Sequence, residues 1–136
     1  LPEGAPIVTE DYKGKRENIV HRSTGKGGVP ASTKVVILIN QGSASASEIL
    51  AGALQDEKKA TLIGTRSFGK GSVQELGTIN GGALKVTVAR WLTPGGRSIS
   101  DGGLMPDIEV ERTREQALAG EDPQKERAFE FLTTGK

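Results

Sequence analysis

With 136 residues, the chain has the length of one domain able to bury a modest core. Its 18 Lys plus Arg against 17 Asp plus Glu leave a formal net charge of +1, too little to gather nucleic acid or an anionic membrane. With no cysteine and one histidine, thiolate catalysis, cysteine zinc sites and a histidine-rich metal centre are excluded, while the redox compartment stays open.

The chain opens on Leu1-Pro2-Glu3-Gly4-Ala5-Pro6, without methionine, which points to a processed chain or an excised part of a longer one. It shows no charged-then-apolar signal segment and no apolar run near the ~18 residues of a membrane span, so it reads as soluble. Residues 9 to 34 are polar and broken by Gly14, Gly25, Gly27, Gly28 and Pro30, a solvated approach with short edge strands at Ile7-Val8 and Ile19-Val20. The continuous β-branched run from Lys34 to Asn40 predicts a strand buried on both faces. In 43-SASASEILAGALQDEKKA-60, apolar Ala46, Ile49, Leu50, Ala53 and Leu54 recur at helical spacing, with Lys58 and Lys59 near the end, where they suit the helix dipole. A strand over 60–64 completes a strand-helix-strand unit, which implies a parallel pair. Further strands are expected over 73–76, 84–93, 97–99 and 108–110, with a turn at Asn80-Gly81-Gly82 and an irregular stretch over 101–107. From Pro123 a helix is expected, with Ala128, Phe129, Phe131 and Leu132 as its apolar face.

The stretch 64-GTRSFGKGS-72 fits most of the phosphate-loop pattern G-x-x-x-x-G-K-[ST], with Gly71 where Ser or Thr belongs. Such a loop works through the N–H groups of a helix that follows the lysine. Here 71-GSVQELGTINGG-82 follows, and its glycines and β-branched residues cannot sustain a helix. A lysine can instead serve as the general base of a serine, provided that burial keeps the amine neutral, well below its ordinary pKa of about 10.4. The glycines flanking Lys70 would let the backbone pack closely and draw the side chain inward. Candidate nucleophiles are Ser43, Ser45 and Ser47, at a strand-to-helix turn where unpaired helix N–H groups can stabilise an oxyanion. Ser45-Ala46-Ser47-Glu48 also matches the capping box S-x-x-E, in which Ser45 simply caps the helix. The local sequence leaves both roles open.

Four segments, 40-NQGSASASEILAGALQD-56, 64-GTRSFGKGSVQ-74, 89-ARWLTPGGRSIS-100 and 103-GLMPDIEV-110, closely resemble in content and order the carboxy-terminal processing, or tail-specific, proteases, a serine peptidase family. The resemblance runs from Leu1 to about Val110. It implies an α/β fold with a ClpP/crotonase-like core of β-β-α units, of which this chain would be the C-terminal portion. In that portion 1–34 forms the polar approach, 35–110 the motif-bearing core and 122–134 the C-terminal helix. By the same resemblance Ser45 is the nucleophile and Lys70 the general base, Gln74 accepts a hydrogen bond from the Lys70 amine, and the backbone N–H of Ala46 is one oxyanion donor. The implied reaction is acyl transfer on protein or peptide substrates captured by their C-terminal tails, with no metal or cofactor. The family's second oxyanion donor and its PDZ domain lie upstream of the matching segment. The isolated chain is therefore expected to be poorly active or inactive and prone to self-association, and the location extracytoplasmic. The alternative is a non-catalytic fragment that binds peptides or assembles with a partner.

His21 could join Ser45 and one of Asp56, Asp101 or Asp107 in a triad, but its polar, glycine-flanked segment favours a solvated residue. Asp101, Asp107, Glu109 and Glu111 lack the spacing of a calcium loop and read as surface. Trp91 and Tyr12 read as packing residues. Lys13, Lys15 and Arg16 are too few, and lack the stacking aromatics, for nucleic-acid binding.

Overall fold

A computed structural model describes residues 1–27, 29–30 and 32–135 and sorts their strands into two sheets. In chain order the elements are β1 (Pro6–Asp11), β2 (Ile19–Arg22), β3 (Val36–Ile39), α1 (Ala46–Asp56), β4 (Thr61–Gly64), β5 (Ser72–Ile79), β6 (Gly82–Leu92), β7 (Ile108–Glu109), α2 (Arg114–Ala119) and α3 (Pro123–Thr134). One sheet is antiparallel in the order β2-β1-β6-β5, and the other is parallel in the order β3-β4-β7. Helix α1 connects the parallel neighbours β3 and β4, and it touches both β4 and β1. It therefore joins the two sheets, while α3 packs on β3 and β4.

The core gathers Ile39, Ala51, Leu62, Ile99 and Leu104, with Ile37, Ile49 and Trp91 packed against it. Leu62 and Ile63 of the central strand β4 are fully buried, each worth about 1.5–3 kcal/mol relative to exposure. The run 34–40 was expected to be covered on both faces, yet β3 is the edge of its sheet and Leu38 is 43% exposed. Hydrophobicity identifies a strand, but pairing decides which strand is central. Helix α1 departs in the same way: its buried residues are Glu48, Ala51, Gly52 and Ala53, while Leu50 is 58% exposed and Ala46 is exposed. Small residues win this face because the neighbouring chain comes too close for larger ones. A Cβ on Gly52 would stand 2.8 Å from Thr93 Cγ2. The helix also ends at Asp56, so Lys58 and Lys59 lie past its last turn.

The hairpin of β5 and β6 turns on Asn80 (φ 47°) and Gly81 (φ 80°), the two left-handed residues of a type I′ turn. In place of a 97–99 strand there is only a bridge between Leu92 and Ser98. Helix α2 was not anticipated, although Thr113-Arg114-Glu115-Gln116 carries a capping box that the structure closes: Gln116 N donates to Thr113 Oγ1 at 3.2 Å and Thr113 N to Gln116 Oε1 at 2.9 Å. In α3 Ala128 is buried as expected, whereas Phe129 is 59% exposed. The irregular stretch before β7 is anchored by Asp107, whose Oδ2 accepts the Leu62 N–H at 2.7 Å and whose Oδ1 accepts from Gln55 Nε2 at 3.0 Å.

Strand β1 carries a polar cluster on the antiparallel sheet. Glu10 accepts a short hydrogen bond from the Tyr12 hydroxyl and pairs with His21 Nε2 at 2.7 Å. The Tyr12 bond, followed by the His21 contacts, holds the Glu10 carboxyl below its usual range, while partial burial opposes this. A group with a depressed folded pKa stabilises the fold above its unfolded pKa, and that contribution fades as the pH falls through the folded value. Glu10→Gln is therefore expected to cost about 1 kcal/mol at neutral pH. The difference should close as the pH drops below the ordinary carboxylate range of about 4, as read from urea melts across pH; a pH-independent difference would exclude this linkage.

Candidate active site

The turn between β3 and α1 separates the three candidate serines. Ser43 is used locally: its hydroxyl accepts the Asn40 N–H at 3.2 Å, and its own N–H donates to the Asn40 carbonyl at 2.8 Å. Ser47 sits exposed in the first turn of α1. Ser45 is the N-cap, with φ 57° and ψ −116°, outside the left-handed helical well and in a region that side chains rarely adopt. Strain of this kind costs about 1–3 kcal/mol and concentrates at functional sites. It is also the mark of a nucleophile presented on a sharp strand-to-helix turn. Ser45 and Glu48 stand in the reciprocal arrangement of a capping box, but only one limb is a hydrogen bond. The Ser45 N–H donates to Glu48 Oε2 at 2.9 Å, whereas the Glu48 N–H goes to the Ser45 carbonyl at 2.9 Å and the Ser45 hydroxyl makes no cap bond. Ala46, the first residue of α1, has an N–H outside the helical ladder and directed at the helix entrance.

After β4 the chain makes the glycine-rich loop and enters β5 at Ser72. A strand, not a helix, follows Lys70, so the N–H cradle of a phosphate loop does not form there. The loop is locked against residues 99–103. A Cβ on Gly71 would stand 2.4 Å from the backbone nitrogen of Ser100, and one on Gly69 2.9 Å from that of Gly103. The glycines thus permit the close packing anticipated for them, but the packed partner is backbone, and Lys70 itself stays exposed. The expected inward course of its side chain is not what the loop produces.

The serine and lysine segments meet on one side chain that sequence reading treated only as a cap partner. Glu48 is 1% exposed. Its Oε2 accepts the N–H of Ser45 and the N–H of Lys70, each at 2.9 Å. Two nitrogens bound to one oxygen are no further apart than twice that distance, so the Ser45 and Lys70 backbones are neighbours. Glu48 Oε1 accepts the Gly69 N–H at 2.7 Å and the Ser67 hydroxyl, and Ser67 Oγ in turn accepts the Leu104 N–H at 2.7 Å. The available signal was position: Glu48 shares the small-residue side of α1 with Ala51 and Gly52, at i+3 and i+4.

Gln74 lies on β5, exposed, just after a bulge between Val73 and Gln74, a device that re-aims a side chain. Its Nε2 faces Thr87 Oγ1 across the strand pair at 3.5 Å, which leaves Oε1 as the amide's acceptor. His21 is engaged by Glu10 and lies against the Trp91 ring at 5.9 Å. Among the aspartates considered with it, Asp56 binds Arg97 and the Gly95 N–H, and Asp107 binds Leu62 and Gln55. A cleft of about 590 Å³, lined by Asn40, Gln41, Gly42, Thr65 and Arg66 among others, opens beside the turn that leads to Ser45.

Comparison with known proteins places the chain in a family. The chain is 48% identical over 112 residues to a carboxy-terminal-processing protease of Bartonella bacilliformis, covering 81% of this chain and 26% of that protein. It is 41% identical over 139 residues to a carboxyl-terminal-processing protease of Synechocystis sp., covering 99% of this chain and 32% of that one. Among solved structures, the photosystem II D1 C-terminal processing protease superposes with a TM-score of 0.72 at 38% identity, covering 82% of this chain and 28% of that one. The chain therefore spans about a quarter to a third of the length of these relatives, and its fold is the ClpP-like α/β architecture of their peptidase core. The profile of peptidase family S41 matches residues 1–110, and the chain belongs to that family.

Proposed function

We propose that this chain carries the catalytic centre of a serine endopeptidase that cleaves protein substrates near their C-termini through an acyl-enzyme. The observation that carries this reading is the convergence of a strained N-cap serine and the Lys70 backbone on the same oxygen of Glu48. Ser45 Oγ attacks the scissile carbonyl carbon and Lys70 Nζ takes the hydroxyl proton. The same amine then returns the proton to the leaving nitrogen, and water hydrolyses the ester. The Ala46 N–H stabilises the tetrahedral oxyanion, and the free Oε1 of Gln74 is the acceptor that steers the lysine amine. A lysine base works in a water-poor setting. Because Lys70 is exposed, substrate or further chain must complete its enclosure.

Weak activity of the isolated chain, recognition of substrate tails by a PDZ module elsewhere in a longer protein, and an extracytoplasmic location are parts of the same proposal. The resemblance to the family suggests them, and the chain's 26% and 32% shares of two relatives leave length for further parts. Self-association is favoured by the hairpin, where Leu76, Ile79, Leu84 and Val86 are 44–74% exposed and β5 is a free sheet edge.

The test is phosphonylation by a fluorophosphonate probe, in which the serine oxygen displaces fluoride from phosphorus. Mass spectrometry should place the adduct on Ser45, and Ser45→Ala should abolish it; an adduct on Ser43 or Ser47 that survives this change would sink the assignment.

A further inference from the structure

We infer that Glu48 is the positioning residue of the Ser45/Lys70 pair, its carboxylate setting the spacing of nucleophile and base by holding the backbone of both. The inference rests on the Ser/Lys reading above. Four donors converge on two oxygens: the N–H groups of Ser45, Gly69 and Lys70 and the hydroxyl of Ser67. Every contact asks the group to accept, which is the role of an ionised carboxylate, and bonds of this charge-assisted kind are the short, strong ones. At 1% exposure, water has no ready access to replace a lost partner.

A helix cap alone would need only the Ser45 bond. The other three reach 19 to 22 residues along the chain into the lysine loop. One group therefore holds the strained backbone at Ser45 and the backbone from which Lys70 extends. Through Ser67 and Leu104 the same carboxylate is tied to the 99–104 segment that packs on Gly71. Its four hydrogen bonds engage three backbone N–H groups and Ser67, none of them the Ser45 hydroxyl or the Lys70 amine, so Glu48 acts through position and not by proton transfer.

Glu48→Gln keeps the volume but turns one acceptor oxygen into an NH2 that faces N–H donors. With fluorophosphonate on the full chain, its maximal phosphonylation rate is expected to fall about 10²-fold, the cost of a misplacement of about 1 Å, with the probe's binding constant unchanged. Glu48→Asp, which keeps the charge but shortens the reach, should recover part of the loss. In amide exchange, Ser45, Gly69 and Lys70 should lose protection together in Glu48→Gln, while the later turns of α1 keep theirs. Phosphonylation at the wild-type rate, or unchanged exchange at these three amides, would overturn the inference. If Glu48→Gln does not fold, the wild-type chain decides: a shared protection of the three amides supports the clamp and three unrelated rates overturn it. A wild-type chain whose labelling is indifferent to Lys70→Ala counts against the Ser/Lys reading, and the exchange measurement still decides the clamp.

Discussion

Alanine at Lys70 is expected to slow the phosphonylation of Ser45 by a fluorophosphonate about 10²–10⁴-fold, the range that a positioned proton acceptor supplies. A serine hydroxyl is a poor nucleophile until a base takes its proton, and the only histidine, His21, is committed to Glu10 on the antiparallel sheet. Lys70→Arg separates a base from a mere positive charge. Arginine keeps the cation but cannot be deprotonated in a protein, so it should be as slow as alanine. His21→Ala, by contrast, should leave the rate within about twofold, because removing a residue outside the reacting group costs no transition-state stabilisation. The rate constants for fluorophosphonate labelling provide the measure. An arginine variant that reacts at the wild-type rate would show that Lys70 supplies charge only, and a slow His21→Ala would revive the triad.

The second large effect is on stability. Gly64→Ala is expected to cost at least about 3 kcal/mol, a large part of the ~5–15 kcal/mol that holds a domain folded. Gly64 has φ +133°, which L side chains rarely adopt, and a Cβ there would stand 2.0 Å from the Ile39 carbonyl oxygen. The obstacle is backbone of the paired strand β3, which accepts the Thr65 N–H through that same oxygen, so no rotamer change can relieve it. Gly120→Ala gives the comparison. That glycine is left-handed at φ +78° with nothing within 4 Å, so only the conformational cost of about 1–2 kcal/mol applies. Urea midpoints should rank the two variants in this order, and equal midpoints would show that β3 and β4 can part enough to admit a methyl group. Because Ile39 leads into the turn that presents Ser45 and Gly64 leads into the lysine loop, the lesion should also reduce fluorophosphonate labelling in any folded fraction.

Gly64 illustrates how local pattern and tertiary role diverge. In the chain it is the first glycine of a phosphate-loop match that fails at Gly71. In the fold it permits contact between two parallel strands, and Gly71 permits contact with the Ser100 backbone. Gly64 thus lets the strand that leads to Ser45 close on the strand that leads to Lys70, and Gly71 lets the lysine loop pack on residues 99–100.

The sequence by itself determined the alternation of elements, the parallel β3-α1-β4 unit, the exclusion of a helix after Lys70 and, through four ordered motifs, the family. These follow from short-range physics: β-branched runs, helical spacing, turn residues and motif order are all local. What only the tertiary structure decided was which surfaces face inward. Leu38, in a run read as buried on both faces, and Leu50, on the apolar spacing of α1, are exposed, because β3 became a sheet edge and α1 turned its small residues to the core. Tertiary structure also decided that Glu48, an acidic residue in a first helical turn, is buried and shared between two loops. A carboxylate tolerates burial only where enough donors meet it, and those donors come from segments some 20 residues away, a distance across which no local pattern carries information.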